Sequence, residues 1–200
     1  MPALLSVEEE CSSPVSMSAS NRPVVDFEND SAWHDLFYGT LPTPKRIQEL
    51  NQFLNRNPER MIRLYHGTDA KLPIMEKGLL PTSTMRRRSL QSGSGYVYLS
   101  VYHGMANDFG RMGNPGKVIE VYKVEIPIRM LSPDKDQLAN KRCWGQDSSI
   151  GRTLADSLIV GHGACVKGTI QPYAIRPTIG RLPSDWTERP SSRPVFTSWA

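Results

Sequence analysis

Three segments of this 200-residue chain place polar side chains at or just past the end of an apolar run. They are Leu64-Tyr65-His66-Gly67-Thr68-Asp69, Tyr96-Val97-Tyr98-Leu99-Ser100 and Gly168-Thr169-Ile170-Gln171-Pro172-Tyr173-Ala174-Ile175. Strand ends are where a rigid sheet presents groups to a cleft, and here those groups are an imidazole, phenols, hydroxyls and an amide. A fourth segment, Arg86-Arg87-Arg88, stands before Ser92-Gly93-Ser94-Gly95. It offers forked donors to a phosphate or simply solvates a loop. Metal and thiol chemistry find no such support. Cys11, Cys143 and Cys165 form no Cys-x-x-Cys pair, and the four histidines include no His-Glu-x-x-His, so no metal is expected. An odd number of widely spaced cysteines also excludes a disulfide framework and suits reducing, cytoplasmic surroundings.

The elements that must position these groups are legible from periodicity and punctuation. Thr43-Pro44 is a good helix start, and Ile47, Leu50 and Leu54 fall on one face of a helix over 44–56 that ends near Asn57-Pro58. A short strand over 60–65 runs into His66-Gly67, a short helix over 73–78 stops at Gly78, and 82–95 reads as a polar loop. Strands are expected over 96–101 and 117–126, with a helix over 103–109 between them. Ser132-Pro133, with Asp134 and Asp136, starts another short helix, and two last strands are expected over 156–161 and 163–171.

Charge and composition divide the chain. Residues 1–40 carry seven acids and one base, whereas the rest carries a net charge of +10. The first 31 residues hold seven serines and almost no apolar periodicity, so residues 1–40 are expected to be a disordered acidic, Ser-rich leader. Residues 41–180 form the expected domain, and 181–200 a Pro- and Ser-rich tail. No run approaches the roughly 20 apolar residues of a membrane span, and Ala3-Leu4-Leu5 before Glu8-Glu9-Glu10 is no secretory signal. A basic body with an acidic leader could attract a phosphate-rich ligand or nucleic acid, or be shielded by the leader, but plain solvation by Lys and Arg is the favoured reading.

In their order along residues 61–176, these motifs resemble the ADP-ribosyltransferase family. Tyr65-His66-Gly67-Thr68 is similar to that fold's first motif, with Gly78-Leu79-Leu80-Pro81 following it. Val97-Tyr98-Leu99-Ser100, Ala106, Gly110, Lys117-Val118-Ile119 and 164–175 resemble the catalytic half of RNA 2′-phosphotransferases. The resemblance implies an α+β fold, a split antiparallel sheet with short flanking helices. It implies NAD as co-substrate, with cleavage of the ribose–nicotinamide bond through a sugar cation. By the same resemblance Gly67 presents backbone groups to the nicotinamide amide, His66 bonds a ribose hydroxyl and Thr68 supports the turn. Tyr98 lies against the nicotinamide ring, Ser100 bonds its carboxamide, and Arg86 to Arg88 meet the pyrophosphate.

Gln171 takes the third catalytic position, where many members carry glutamate, and no acid occurs between Asp156 and Asp185. A neutral amide stabilises a cation less than a carboxylate does. The expectation is therefore a mono-ADP-ribosyltransferase acting on a protein or nucleic-acid acceptor, acting in the cytoplasm or delivered into a target cell as a bacterial effector or toxin. The alternatives are an RNA 2′-phosphotransferase-like enzyme and a non-catalytic module that binds NAD or ADP-ribose. Tyr98 in place of that enzyme's usual histidine favours the transferase.

Overall fold

A computed structural model describes residues 23–38, 43–81, 85–87, 90–139 and 152–178. The tail at 181–200, the first 22 residues of the leader, Arg88, Cys11 and Cys143 lie outside them. The chain enters through a 3-10 turn at Ser31–Trp33 into α1 (His34–Tyr38) and then α2 (Pro44–Arg56). Thr43 Oγ1 accepts the Arg46 N–H and Pro44 takes the first helical position, so the helix starts and ends where the sequence places it.

β1 (Met61–Asp69) is longer than expected: His66-Gly67-Thr68 lies inside the strand rather than in a turn beyond it. After α3 (Ile74–Lys77), the expected loop contains a two-stranded ribbon, β2 (Met85–Arg87) with β3 (Leu90–Ser92). β4 (Tyr96–Ser100), α4 (His103–Gly113), β5 (Ile119–Pro127), β6 (Leu131–Ser132) and α5 (Lys135–Ala139) follow.

The segment expected as a strand over 156–161 is a helix, α6 (Leu154–Val160). Thr153 and Asp156 form a reciprocal capping box that starts it, and tertiary burial of Ala155, Leu158 and Ile159 overrides the strand-like apolar run. β7 (Gly163–Lys167) and β8 (Ile175–Pro177) complete the sheet.

The fold is α+β, with six antiparallel strands in the order β6-β7-β4-β1-β5-β8. Ile62, Leu64, Val97, Leu99, Val124, Ile126 and Val166 pack with Leu50 and Leu54 of α2 and Leu158 of α6 into one core. Among the described residues no helix is long and apolar enough to cross a membrane.

Residues 23–38, expected within the disordered leader, belong to this core. Val25 bridges Ile62, its N–H donating to the Met61 carbonyl at 2.9 Å and its carbonyl accepting the Arg63 N–H at 2.8 Å. Phe27 is 1% exposed and packs on Trp33 and Phe37 with ring centroids 6.1 and 4.8 Å away. Arg63 donates to Asp26 at 2.8 Å and to Glu125 at 2.6 Å, joining the segment to β5. The acidic composition hid a few apolar anchors whose partners lie far along the chain. Phe27→Ala is expected to cost about 3–5 kcal/mol in urea unfolding; a change below about 1 kcal/mol would mean this segment is not core.

Candidate functional site

The site lies where β1 and β4 part. β1 pairs with β5 at all nine positions, from Met61 opposite Pro127 to Asp69 opposite Ile119. Toward β4 it pairs at one position only, Tyr65 opposite Ser100. Backbone groups alternate sides along an antiparallel strand, so those of residues 61, 63, 65 and 67 face the β4 side. Val25 takes up the Met61 and Arg63 groups, and Ser100 pairs with Tyr65. At Gly67 the ladder to β4 has stopped, and no β4 residue pairs with it although its backbone groups lie on that side.

His66 bridges that gap. Its Nδ1 lies 2.8 Å from the Tyr98 carbonyl. A carbonyl can only accept, so Nδ1 carries the hydrogen and Nε2 is left as an acceptor. Among the described residues Nε2 has no partner. Burial holds the imidazole pKa below its usual value, with the Tyr98 carbonyl opposing this, so the ring is neutral at pH 7.

Tyr98 thus meets His66 through its backbone, while its side chain is held elsewhere. The phenol donates to Asp136 Oδ2 at 2.7 Å, and the Gly93 N–H reaches both the phenol oxygen at 2.6 Å and the same carboxylate oxygen at 2.8 Å. Burial, and then Asp136, raise the phenol pKa, which excludes Tyr98 as a base near neutrality.

Asp134, two residues earlier, is buried and accepts the Gln137 N–H at 2.9 Å. Burial pushes its carboxyl up to about 6, the Gln137 bond opposing and the Asp136 charge adding to the rise. Cys165, opposite Tyr98 on β7, has its thiol pushed up to about 12 by burial and these two acids, so it is no nucleophile.

The remaining expected residues divide. Gly67 is at the split, but its missing Cβ serves α4. A Cβ there would stand 2.1 Å from the Ala106 carbonyl oxygen, and one on Gly110 would stand 2.8 Å from the Gly67 carbonyl carbon. Thr68 is buried in the strand opposite Glu120 and supports no turn. Ser100 is also buried. Its hydroxyl donates to the His162 carbonyl and accepts the Tyr102 N–H, both at 3.2 Å, so it closes the lead into α4 rather than facing a ligand.

Arg86 lies on β2 opposite Gln91, and Arg88 falls outside the described residues. Gln171 is exposed in a separate groove of about 300 Å³, with Met61, Ile126, Pro127 and Tyr173. Neither His66 nor Tyr98 lines that groove, so the third member of the expected constellation does not join the other two. The crossing from β7 to β8 carries Gln171 toward the Met61 end of β1, whereas the split opens toward Asp69. Asp136 is the residue that sequence reasoning missed: it marked a helix start, but nothing in the spacing ties it to a tyrosine 38 positions earlier.

Among the described residues no three His, Cys, Asp or Glu side chains converge as a metal site. Comparison with protein families, curated proteins and solved structures finds no significant match.

Two predictions follow from this geometry. Gly67→Ala should lower stability by about 2 kcal/mol or more in chemical denaturation, because helix and strand backbones must separate; a change within about 0.5 kcal/mol would contradict the close crossing. His162, whose carbonyl holds Ser100, sits at φ 47° with Nδ1 buried and unpartnered, and burial pushes its pKa down to about 4. Its folded pKa lies below the unfolded value, so its contribution is present above pH 6.5 and is lost as pH falls through about 4. His162→Asn tolerates the left-handed backbone and does not titrate. The stability difference between wild type and this variant should therefore shift against wild type by roughly 3 kcal/mol between pH 7 and pH 4, and a constant difference would rule out the buried neutral imidazole.

Proposed function

We propose that the protein is an NAD-dependent mono-ADP-ribosyltransferase of the ADP-ribosyltransferase fold, with its nicotinamide subsite at the parting of β1 and β4. The observation that carries the reading is the end of β1–β4 pairing beyond Tyr65, which leaves Gly67 without a β4 partner next to His66, whose Nδ1 is committed to the Tyr98 carbonyl. A carboxamide presents one acceptor and one donor group, so it matches a backbone N–H and C=O side by side. His66 Nε2, an acceptor, suits a ribose hydroxyl next to that ring. Neutral His66 binds through Nε2, while Tyr98 orients that ring through its carbonyl and keeps its protonated phenol on Asp136; neither is set up to remove a proton as a strong base.

In the reaction the ribose–nicotinamide bond breaks, nicotinamide leaves with the bonding pair, and an acceptor nucleophile attacks the sugar carbon. Gln171 has no part in the proposed pocket, and the carboxylate beside Tyr98 is Asp136. A second reading, a non-catalytic NAD or ADP-ribose binder, is favoured by one observation: Asp136 Oδ2 is already occupied by two donors. The protein or nucleic-acid acceptor is to be found by labelling.

The test is nicotinamide release from labelled NAD in the presence of cell lysate, with label tracked into protein and nucleic acid. The reading predicts release and transfer by wild type, both reduced about tenfold or more in His66→Ala and Tyr98→Ala, which corresponds to loss of one good ligand contact. Release untouched by both substitutions would overturn the site. NAD binding by calorimetry with no release would select the binder.

A further inference from the structure

Two acids at the start of α5, Asp134 just before it and Asp136 in its first turn, have different duties. Asp134 receives the Gln137 N–H and so caps its own helix. Asp136 instead directs Oδ2 at two donors from other parts of the chain: the Tyr98 phenol on β4 and the Gly93 N–H just after β3. These partners lie 38 and 43 residues away, so the contact is tertiary and is not helix capping.

The Gly93 N–H also touches the phenol oxygen, which closes a three-membered network on one carboxylate oxygen. Hydrogen bonds to a carboxylate are roughly twice as strong as neutral ones. A half-buried phenol that loses its acceptor is left with an unmet donor and a ring free to change rotamer. Among the described residues its cross-strand neighbour Cys165 is small, and the Tyr96 ring is 6.5 Å away at a tilt.

We infer that Asp136 is a positioning residue that locks the Tyr98 ring and the Gly93 end of the β2–β3 ribbon against α5, and so sets the shape of the gap between β1 and β4. The locking stands on the hydrogen bonds alone; its consequence for NAD rests on the reading given under Proposed function. Asp136 acts through Tyr98, so its effect and that of the phenol hydroxyl must be one effect and not two.

The experiment has two readouts on the full chain. In the first, without ligand, tyrosine is labelled with carbon-13 at Cζ and the Tyr98 resonance is identified by its absence in Tyr98→Phe. The resonance should shift in Asp136→Ala and titrate at lower pH than in wild type, and Asp136→Asn, which keeps an acceptor oxygen, should restore part of the wild-type position. An unmoved resonance in a folded Asp136→Ala protein overturns the inference. Should Asp136→Ala fail to fold, Asp136→Leu, which fills the site without an acceptor, carries the same comparison, and an unmoved resonance there counts equally against it.

The second readout is NAD binding by calorimetry. Asp136→Ala and Tyr98→Phe should each weaken it about tenfold, as expected for loss of one charge-assisted hydrogen bond, and the double variant should be no weaker than the worse single one. Effects that multiply in the double variant overturn the coupling. A wild-type protein that fails to bind NAD would overturn the proposed function, while the resonance would still decide whether Asp136 holds the ring.

Discussion

The arrangement turns on one hydrogen bond, from His66 Nδ1 to the Tyr98 carbonyl, made across two central strands that no longer pair. A strand carbonyl inside a sheet costs free energy if nothing donates to it. The imidazole supplies that donor and lets β1 and β4 part without an unpaired carbonyl. Below Tyr65, Val25 performs the equivalent service for β1, so the opening is confined to the level of Gly67. The same bond selects the tautomer. With Nδ1 committed to Tyr98, Nε2 is the ring's acceptor, the atom that the proposed function assigns to the ligand.

The two sides of the gap are held by different means. β1 is braced by nine positions of pairing with β5 and by α4, which crosses at Gly67 and Gly110 too closely for any Cβ. β4 is braced by its ladder to β7 and by the Tyr98–Asp136–Gly93 network. The first brace is close packing, where a methyl group has nowhere to go. The second is polar and hangs on a single carboxylate.

Legibility from sequence followed the range of the interactions. The α2 start at Thr43-Pro44 and the strand over 96–100 were readable because a cap and an alternation are local. The helix at 154–160 reads in sequence as a strand over 156–161, since burial on nearly all sides erases helical periodicity. Residues 23–38 read as part of a disordered leader because their composition is acidic, whereas Val25 and Phe27 find their partners on β1 and in α1. His66, Gly67 and Tyr98 were placed together by motif order. Gly67 had a second reason, α4, that no motif announces. Gln171 followed from sequence alignment onto a closing strand, yet the chain carries it to another groove. Asp136 depends on a contact across 38 residues, and only the folded chain makes it visible.

The most direct measurement of the central claim is the protonation pattern of the His66 ring, read by long-range proton–nitrogen correlation at neutral pH before and after NAD is added. The account predicts a hydrogen on Nδ1, a bare Nε2, and a nitrogen resonance for Nε2 that moves when the dinucleotide binds. A hydrogen on Nε2 in the free protein, or an Nε2 resonance indifferent to NAD, would contradict it.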